Sequence, residues 1–303
     1  MIDKGALMNK KKFFLSLLIT FLILSVIFAC MVLFTAGEGQ YYDFLDESTD
    51  GTENILVVGT DKEGKRADVI MLFNIDAQDK TINLISIPRD TKIKLENGKT
   101  SKINACLGKD DGEEMLCDYV RELTGQPVNS FCKVNFEGLR NVVDILGGVK
   151  YNVPIDMDYD DPVQDLHIHL KAGEQILDGA DVEGLVRFRS GYANADLGRI
   201  DTQQDFLKEA IKQKLNLKYF FKLPAVMSEV HRSFDTDLST LDVLVLAFNA
   251  YKCNSLSTYT LPGGAKYSGG ASYYVADDDA DRQISALLGN AKPSSELNDK
   301  VIN

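Results

Sequence analysis

The chain has 303 residues, 45% of them hydrophobic, with 33 Lys+Arg against 45 Asp+Glu and a formal net charge of −12. That apolar content excludes disorder along most of the chain, and 23 glycines with 7 prolines exclude a fibrous or proline-rich protein. The acid excess excludes a general nucleic-acid binder, which needs positive charge facing phosphates.

The charge is unevenly placed. Residues 1–36 carry Lys4, Lys10, Lys11 and Lys12 against Asp3, a net +3, so the remainder carries −15. From Phe13 to Phe34 the chain runs 22 residues without a charge, a glycine or a proline. At about 1.5 Å per residue a helix of that length covers the ~30 Å hydrocarbon core of a bilayer. Lys10, Lys11 and Lys12 precede it and Glu38, Asp43 and Asp46 follow, so the positive-inside bias predicts a cytoplasmic N-terminus and an exported remainder. A cleaved signal has a shorter apolar core, which makes an uncleaved signal anchor the better reading. The expected organisation is a basic cytoplasmic end (1–12), a transmembrane anchor (13–35), a polar acidic linker (36–52), one exported domain (53–290) and a polar tail (291–303). Such a protein resides in the cell membrane, single-pass, with its domain outside.

Within the exported part, residues 55–59, 69–73 and 82–87 are short β-rich runs separated by turn-rich segments. The first two are almost continuously apolar, as central strands covered on both faces are. Helices are predicted over 112–123, 136–146, 178–187, 197–217, 218–232, 241–251 and 281–288, with further strands at 149–153, 258–261 and 272–275. Strands alternating with helices predict the α/β class: a single αβα-layered domain with a central mixed sheet, preceded by one N-terminal transmembrane helix.

Cys30 falls in the apolar run, leaving Cys106, Cys117, Cys132 and Cys253 outside. These four allow two disulfides in an oxidising compartment, or four buried thiols, and the sequence leaves both open. His167, His169 and His231 lie away from the motifs below and are read as structural.

Three stretches place charge where a core-forming sequence would not. Val58-Gly59-Thr60-Asp61 ends the first strand and Arg66-Ala67-Asp68 enters the second, so Asp61 and Asp68 are candidates to share a hard cation. Ile87-Pro88-Arg89-Asp90-Thr91 closes the third strand with a cation and an anion side by side. Arg187-Phe188-Arg189 is followed by Asp196-Leu197-Gly198-Arg199 and Gln203; Arg199 and Gln203, four apart, share one helix face. Arginine presents a planar fork of donors that matches phosphate oxygens. Two carboxylates with several arginines in an acidic domain form a candidate metal–diphosphate site. Outside the cell, where no ATP is supplied, the diphosphate belongs to a lipid-linked precursor.

At these residues the sequence resembles the LytR–CpsA–Psr family of bacterial cell-wall enzymes. The matching pieces, in order, are NILVVGTD (54–61), RADVIMLFNID (66–76), ISIPRDT (85–91), KINA (102–105), VNFEGLRNVVDILGGVKYNVP (134–154), GEQILDGADVEGLVRFR (173–189) and DLGRIDTQQ (196–204). The resemblance implies a phosphotransferase outside the membrane of a Gram-positive-type bacterium. Its implied substrate is a glycopolymer of the wall teichoic acid or capsular polysaccharide type on undecaprenyl diphosphate. Its implied acceptor is the C6 hydroxyl of peptidoglycan N-acetylmuramic acid. It further implies that Asp61 and Asp68 hold Mg²⁺, with Mn²⁺ as a substitute. Arg66, Arg89, Lys102, Arg187, Arg189, Arg199 and Gln203 are the implied diphosphate contacts. Arg89 is the position the family treats as most critical, and Asp90 and Asp196 are candidates for orienting arginines or accepting the hydroxyl proton, Asp196 ranking first. Two alternatives remain: a polyprenyl diphosphate phosphatase using water as acceptor, and a non-catalytic envelope regulator or glycopolymer-binding protein. No nucleic-acid partner is expected, and no oligomeric state can be read. Two departures stand out. Thr202 occupies a position where the family usually has arginine, and the unusual 106–117 segment, bracketed by Cys106 and Cys117, is a candidate stapled lid.

Overall fold

The computed structural model describes residues 51–60, 63–162, 166–192 and 196–289. The expected cytoplasmic end, anchor and C-terminal tail, nearly all of the expected linker, and Asp61, lie outside these described residues. Among them, no helix is long and apolar enough to cross a membrane.

In chain order the first half comprises β1 (Thr52–Thr60), β2 (Ala67–Asp76), β3 (Thr81–Ser86), β4 (Lys92–Lys94), β5 (Thr100–Lys102), a 3-10 helix (Ile103–Gly108), α1 (Gly112–Thr124), β6 (Ser130–Val134), α2 (Phe136–Leu146) and β7 (Val149–Val153). There follow β8 (Met157–Asp161), β9 (Leu166–Leu170), β10 (Gly173–Leu177), α3 (Gly179–Arg187), α4 (Asp196–Lys214), α5 (Leu217–Phe220) and α6 (Leu223–Ser233). The last elements are β11 (Phe234–Thr236), α7 (Thr240–Lys252), β12 (Ser255–Thr260), β13 (Gly263–Ser268), β14 (Ala271–Ala276) and α8 (Ala280–Leu287).

Six strands form the central sheet in the order β11-β6-β1-β2-β3-β12. It is mixed: β1, β2 and β3 run antiparallel to their neighbours in that set, whereas β6 joins β1, and β12 joins β3, in parallel. The apolar runs of β1 and β2 are central because both faces are covered. On one face Leu56, Val58, Ile70, Leu72 and Ile85 pack with Leu116 and Val120 of α1 and Ile284 of α8. On the other, Ile55, Val57 and Ile75 meet Leu246 and Ala250 of α7, and Met71 and Leu84 meet Leu207 and Ile211 of α4. The alternation along each strand sends successive side chains to opposite layers, so the expected αβα arrangement around a mixed sheet is observed. A second apolar core, built from Val143, Tyr151, Met157, Ile168, Leu177 and Leu185, joins α2, α3 and the β7–β10 strands.

Helix starts follow capping chemistry. Asn135 accepts from Gly138 N to open α2, and capping boxes at Asp178/Asp181 and Ser239/Asp242 open α3 and α7. The helices predicted over 197–217 and 218–232 are instead three pieces. Asn216 accepts from Lys218 N and starts the short α5, and Pro224 opens α6.

Cys106, Cys117, Cys132 and Cys253 are all free thiols. Cys106 and Cys117 lie in the core beneath the sheet, where a thiol packs as a small apolar group. The disulfide alternative and the stapled 106–117 lid are therefore corrected: this segment is the 3-10 helix running into α1, held by packing. Burial pushes the Cys106, Cys117 and Cys132 thiols from 9.0 up to about 11.

Candidate active site

The sheet's strand directions bring chemistry to one edge. β1 ends at Thr60 beside Ala67, where β2 begins. β6, parallel to β1, ends with Val134 opposite Gly59, so α2 starts at the same edge with Phe136. β3 pairs with β2 through Met71↔Ser86, and Ile87 N donates to Ile70 O at 2.9 Å. Continuing that register by two residues sets Arg89 across from Asp68. The two meet there: Arg89 Nη1 lies 2.7 Å from Asp68 Oδ1. Carboxyl ends of strands in α/β sheets are where ligands bind.

The loop carrying Arg89 is fixed from behind. Thr91 N and Oγ1 both donate to Pro88 O, at 2.8 and 2.5 Å, and Asn104 N in the 3-10 helix donates to Arg89 O at 3.1 Å. Asp90 turns the other way. Its carboxylate takes Lys102 Nζ at 2.9 Å, and Tyr274 N donates to its backbone carbonyl at 2.9 Å.

From the opposite side, α3 and α4 deliver the remaining cations. Arg189 Nη2 reaches Asp68 Oδ1 at 3.4 Å, the same oxygen that Arg89 holds. Arg187, in the last turn of α3, bonds Glu183 Oε1 at 2.7 Å, and its guanidinium lies 4.7 Å from the centre of the Phe136 ring. Glu183 also takes Arg140 at 3.3 Å. A buried carboxylate thus holds Arg187 in place while the Phe136 face supports it. Arg199 is 3% exposed and Gln203 7%. The Gln203 amide donates to Val186 O at 2.8 Å, tying α4 to the end of α3. Gly198 explains the close approach at the start of α4: a Cβ there would meet Tyr192 Cβ at 2.7 Å. Gln204, buried, docks α4 on the sheet with its amide nitrogen 2.9, 2.8 and 3.1 Å from Ser86 Oγ, Tyr259 O and Thr260 Oγ1.

Between these groups opens a cleft of about 180 Å³, lined on its polar side by Asp68, Arg187, Arg189, Arg199 and Gln203. Phe136, Tyr159, Leu166 and Val186 form its apolar wall. Of the residues expected from sequence, Asp68, Arg187, Arg189, Arg199 and Gln203 line the cleft, and Arg89 adjoins it through its bond to Asp68. Arg66, exposed just ahead of β2, and the Asp90–Lys102 pair stand outside the cleft lining. Asp61, and the side chain of Asp196 at the start of α4, lie outside the described residues. Thr202 is buried and donates to Gly198 O at 3.0 Å, back-bonded within its own helix.

The sequence reading missed Tyr159 and Leu166 of the apolar wall. Phe136 had a legible signal, an aromatic immediately after a helix-capping Asn at a strand end. Tyr159 and Leu166 had none, because they come from the β8–β9 hairpin, whose strands are five residues each. Glu183 was equally hidden, an acid that reads as solvated until the packing buries it.

The arrangement suits an anionic, diphosphate-sized group beside a carboxylate. Two arginines converge on one oxygen of Asp68, and a hard divalent cation is commonly held by one or two carboxylates plus substrate phosphates. Asp68 is the one carboxylate that the described residues bring to the cleft lining, and its Oδ1 is held by both arginines.

The LytR_cpsA_psr family model matches residues 35–289. The polyisoprenyl-teichoic acid–peptidoglycan teichoic acid transferase TagV of Bacillus subtilis is 26% identical over 221 residues, covering 71% of this chain, which spans 56% of that protein's length. Its crystal structure superimposes with a TM-score of 0.67 at 24% identity, over 80% of this chain and 100% of that one. The teichoic acid transferase TagU of the same organism is 29% identical over 241 residues, 78% of this chain and 76% of that protein. A structure of TagT bound to LIIa-WTA matches with a TM-score of 0.65 at 23% identity, over 79% of this chain and 90% of that one.

Proposed function

Because the chain belongs to the LytR_cpsA_psr family, we propose that it is a phosphotransferase moving a glycopolymer from a polyprenyl diphosphate carrier to peptidoglycan. The observation that carries this reading is the convergence of Arg89, Arg187, Arg189 and Arg199 around Asp68 in a chain with a net charge of −12. The curated names of TagV and TagU support the reaction class.

In this proposal the carrier is undecaprenyl diphosphate and the acceptor is the C6 hydroxyl of N-acetylmuramic acid. The hydroxyl oxygen attacks the phosphorus bonded to the glycopolymer. The bond from that phosphorus to the bridging oxygen breaks, undecaprenyl phosphate leaves, and a phosphodiester remains. Phosphoryl transfer asks mainly for positioning and charge stabilisation, which fixed guanidinium groups provide without a nucleophilic Ser or Cys. Arg89, clamped from behind by the 3-10 helix, and Arg187, clamped by Glu183, hold the phosphate oxygens; Arg189 and Arg199 close the cleft around them. The apolar wall of Phe136, Tyr159 and Leu166 takes the first carbons of the lipid. Asp196 receives the hydroxyl proton, ahead of Asp90, which Lys102 already engages. Asp68 and Asp61 are the residues that would hold Mg²⁺, which would neutralise charge on the diphosphate when bound. The protein is anchored by residues 13–35 with this domain outside the cell.

The test incubates purified full-length protein in detergent with Mg²⁺, a lipid-diphosphate-linked saccharide and peptidoglycan oligomers. Transfer predicts a phosphodiester-linked product that disappears in Arg89→Ala. Lipid phosphate released without linked product would mean hydrolysis instead, and neither product would leave a binding protein.

A further inference from the structure

His167 and His169, which sequence alone reads as structural, stand on the exposed face of a hairpin. In β9 the pattern Leu-His-Ile-His-Leu alternates cleanly: Leu166, Ile168 and Leu170 are buried, and both histidines are exposed. Strand periodicity therefore puts two imidazoles on one face, two residues apart. The antiparallel partner β8 sets Asp160 opposite His167 and Asp158 opposite His169.

We propose that Asp160, His167 and His169 form a binding site for a divalent transition metal ion of the Zn²⁺ class. One ligand atom from each of the three lies within 4.8 Å of the others. His169 shows the orientation a ligand needs. Its Nδ1 lies 2.8 Å from Asp158 Oδ1, and its Nε2 faces Asp160 Oδ1 at 3.5 Å. A carboxylate holding the proton on Nδ1 leaves the Nε2 lone pair for the metal, which is how outer carboxylates orient metal-bound histidines. His167 Nδ1 lies 2.5 Å from Asp160 Oδ1, so all three groups already share one small volume. The scaffold beneath is firm, because Met157, Leu166, Ile168 and Leu170 are anchored in the second apolar core.

Two imidazole nitrogens and one carboxylate oxygen make a borderline donor set. It favours Zn²⁺ and its neighbours over Mg²⁺, which prefers oxygen ligands alone. The site is thus chemically separate from the Asp68 cleft, though the same hairpin serves both. Tyr159 and Leu166 of β8 and β9 line the apolar wall of the cleft, so an ion bridging the two strands from outside would pin that wall.

The test uses untagged full-length protein in detergent, stripped with a chelator, and reads Zn²⁺ binding directly. Competition with a chromophoric chelator gives affinity, and metal analysis after dialysis gives stoichiometry. The proposal expects one Zn²⁺ per chain. Affinity falls by roughly tenfold or more in each of His167→Ala, His169→Ala and Asp160→Asn, and by about tenfold in Asp158→Asn. His231→Ala binds as wild type, millimolar Mg²⁺ does not displace Zn²⁺, and unchanged circular dichroism shows that the variants fold. The proposal is overturned if wild type retains no Zn²⁺, if the His167→Ala/His169→Ala double variant binds as tightly as wild type, or if Mg²⁺ displaces the ion.

Discussion

Replacing Glu183 by glutamine keeps the side chain's shape and removes its charge. Glu183 Oε1 accepts from Arg187 Nη1 at 2.7 Å, and both side chains are 11% exposed. With charge centres about 4 Å apart and an effective dielectric of about 20, the attraction is roughly 4 kcal/mol. Desolvation offsets part of it, and the net worth of a hydrogen bond to a charged group is about 1.5–3 kcal/mol. The Arg140 bridge adds little: it spans 3.3 Å to an arginine that is 45% exposed, so solvent screening holds it below about 1 kcal/mol. Glu183→Gln should therefore cost about 2–3 kcal/mol, or roughly 4–12 °C in Tm for a domain of this size. A double-mutant cycle with Arg187→Met isolates the pair, because methionine keeps an apolar stem against Phe136 while losing the charge. Urea unfolding of wild type, both single variants and the double variant should return a coupling of about 1.5–3 kcal/mol. A coupling below about 0.5 kcal/mol, the additivity error of such cycles, would refute the idea that Glu183 positions Arg187.

Cys106, Cys117 and Cys132 should alkylate slowly in the native protein at pH 8, with identical mass-mapped labelling with and without reductant; a reductant-dependent thiol would contradict the free, buried assignment. Their folded pKa values lie at about 11 against 9.0, so the unfolded chain releases these protons first. Stability should then fall as pH rises from about 9 to 11, read as a declining urea midpoint; a flat midpoint across that window counts against buried thiols. Asn74 donates to Asn54 Oδ1 and accepts from Asn83 Nδ2, both at 2.9 Å, in a buried ladder across β1, β2 and β3. Asn74→Ala leaves one buried acceptor and one buried donor unmet, at about 1–3 kcal/mol each, so a shift in unfolding free energy under about 0.5 kcal/mol would show the ladder to be wet.

The central sheet was legible because β1 and β2 carry long apolar runs and turn-rich segments separate them. The outer strands were not all visible: β6 lacks the clean alternation that marks β7, and β11 is only three residues long. Arg89 and Asp68 could be singled out as misplaced charges, but their meeting depends on the β2–β3 register, which carries Arg89 two residues beyond the last hydrogen-bonded pair. Arg187, Arg189 and Arg199 were visible as a cluster in an acidic chain. Lys102 and Asp90 look alike in sequence to these cleft residues, and only the fold turns them toward each other and toward Tyr273 and Tyr274. The apolar wall was legible only at Phe136, because the exposed-looking β8–β9 hairpin meets that helix-start phenylalanine only once the domain has folded.

The most direct test is the affinity of the full-length protein for a short-chain polyprenyl diphosphate against the corresponding monophosphate, in wild type, Arg89→Ala and Arg187→Met. If the arginine-lined cleft is the diphosphate site, wild type prefers the diphosphate, and each variant loses roughly tenfold or more of that affinity, about 1.4 kcal/mol per decade. Equal binding of the two lipids, or variants that bind the diphosphate as wild type does, would contradict it.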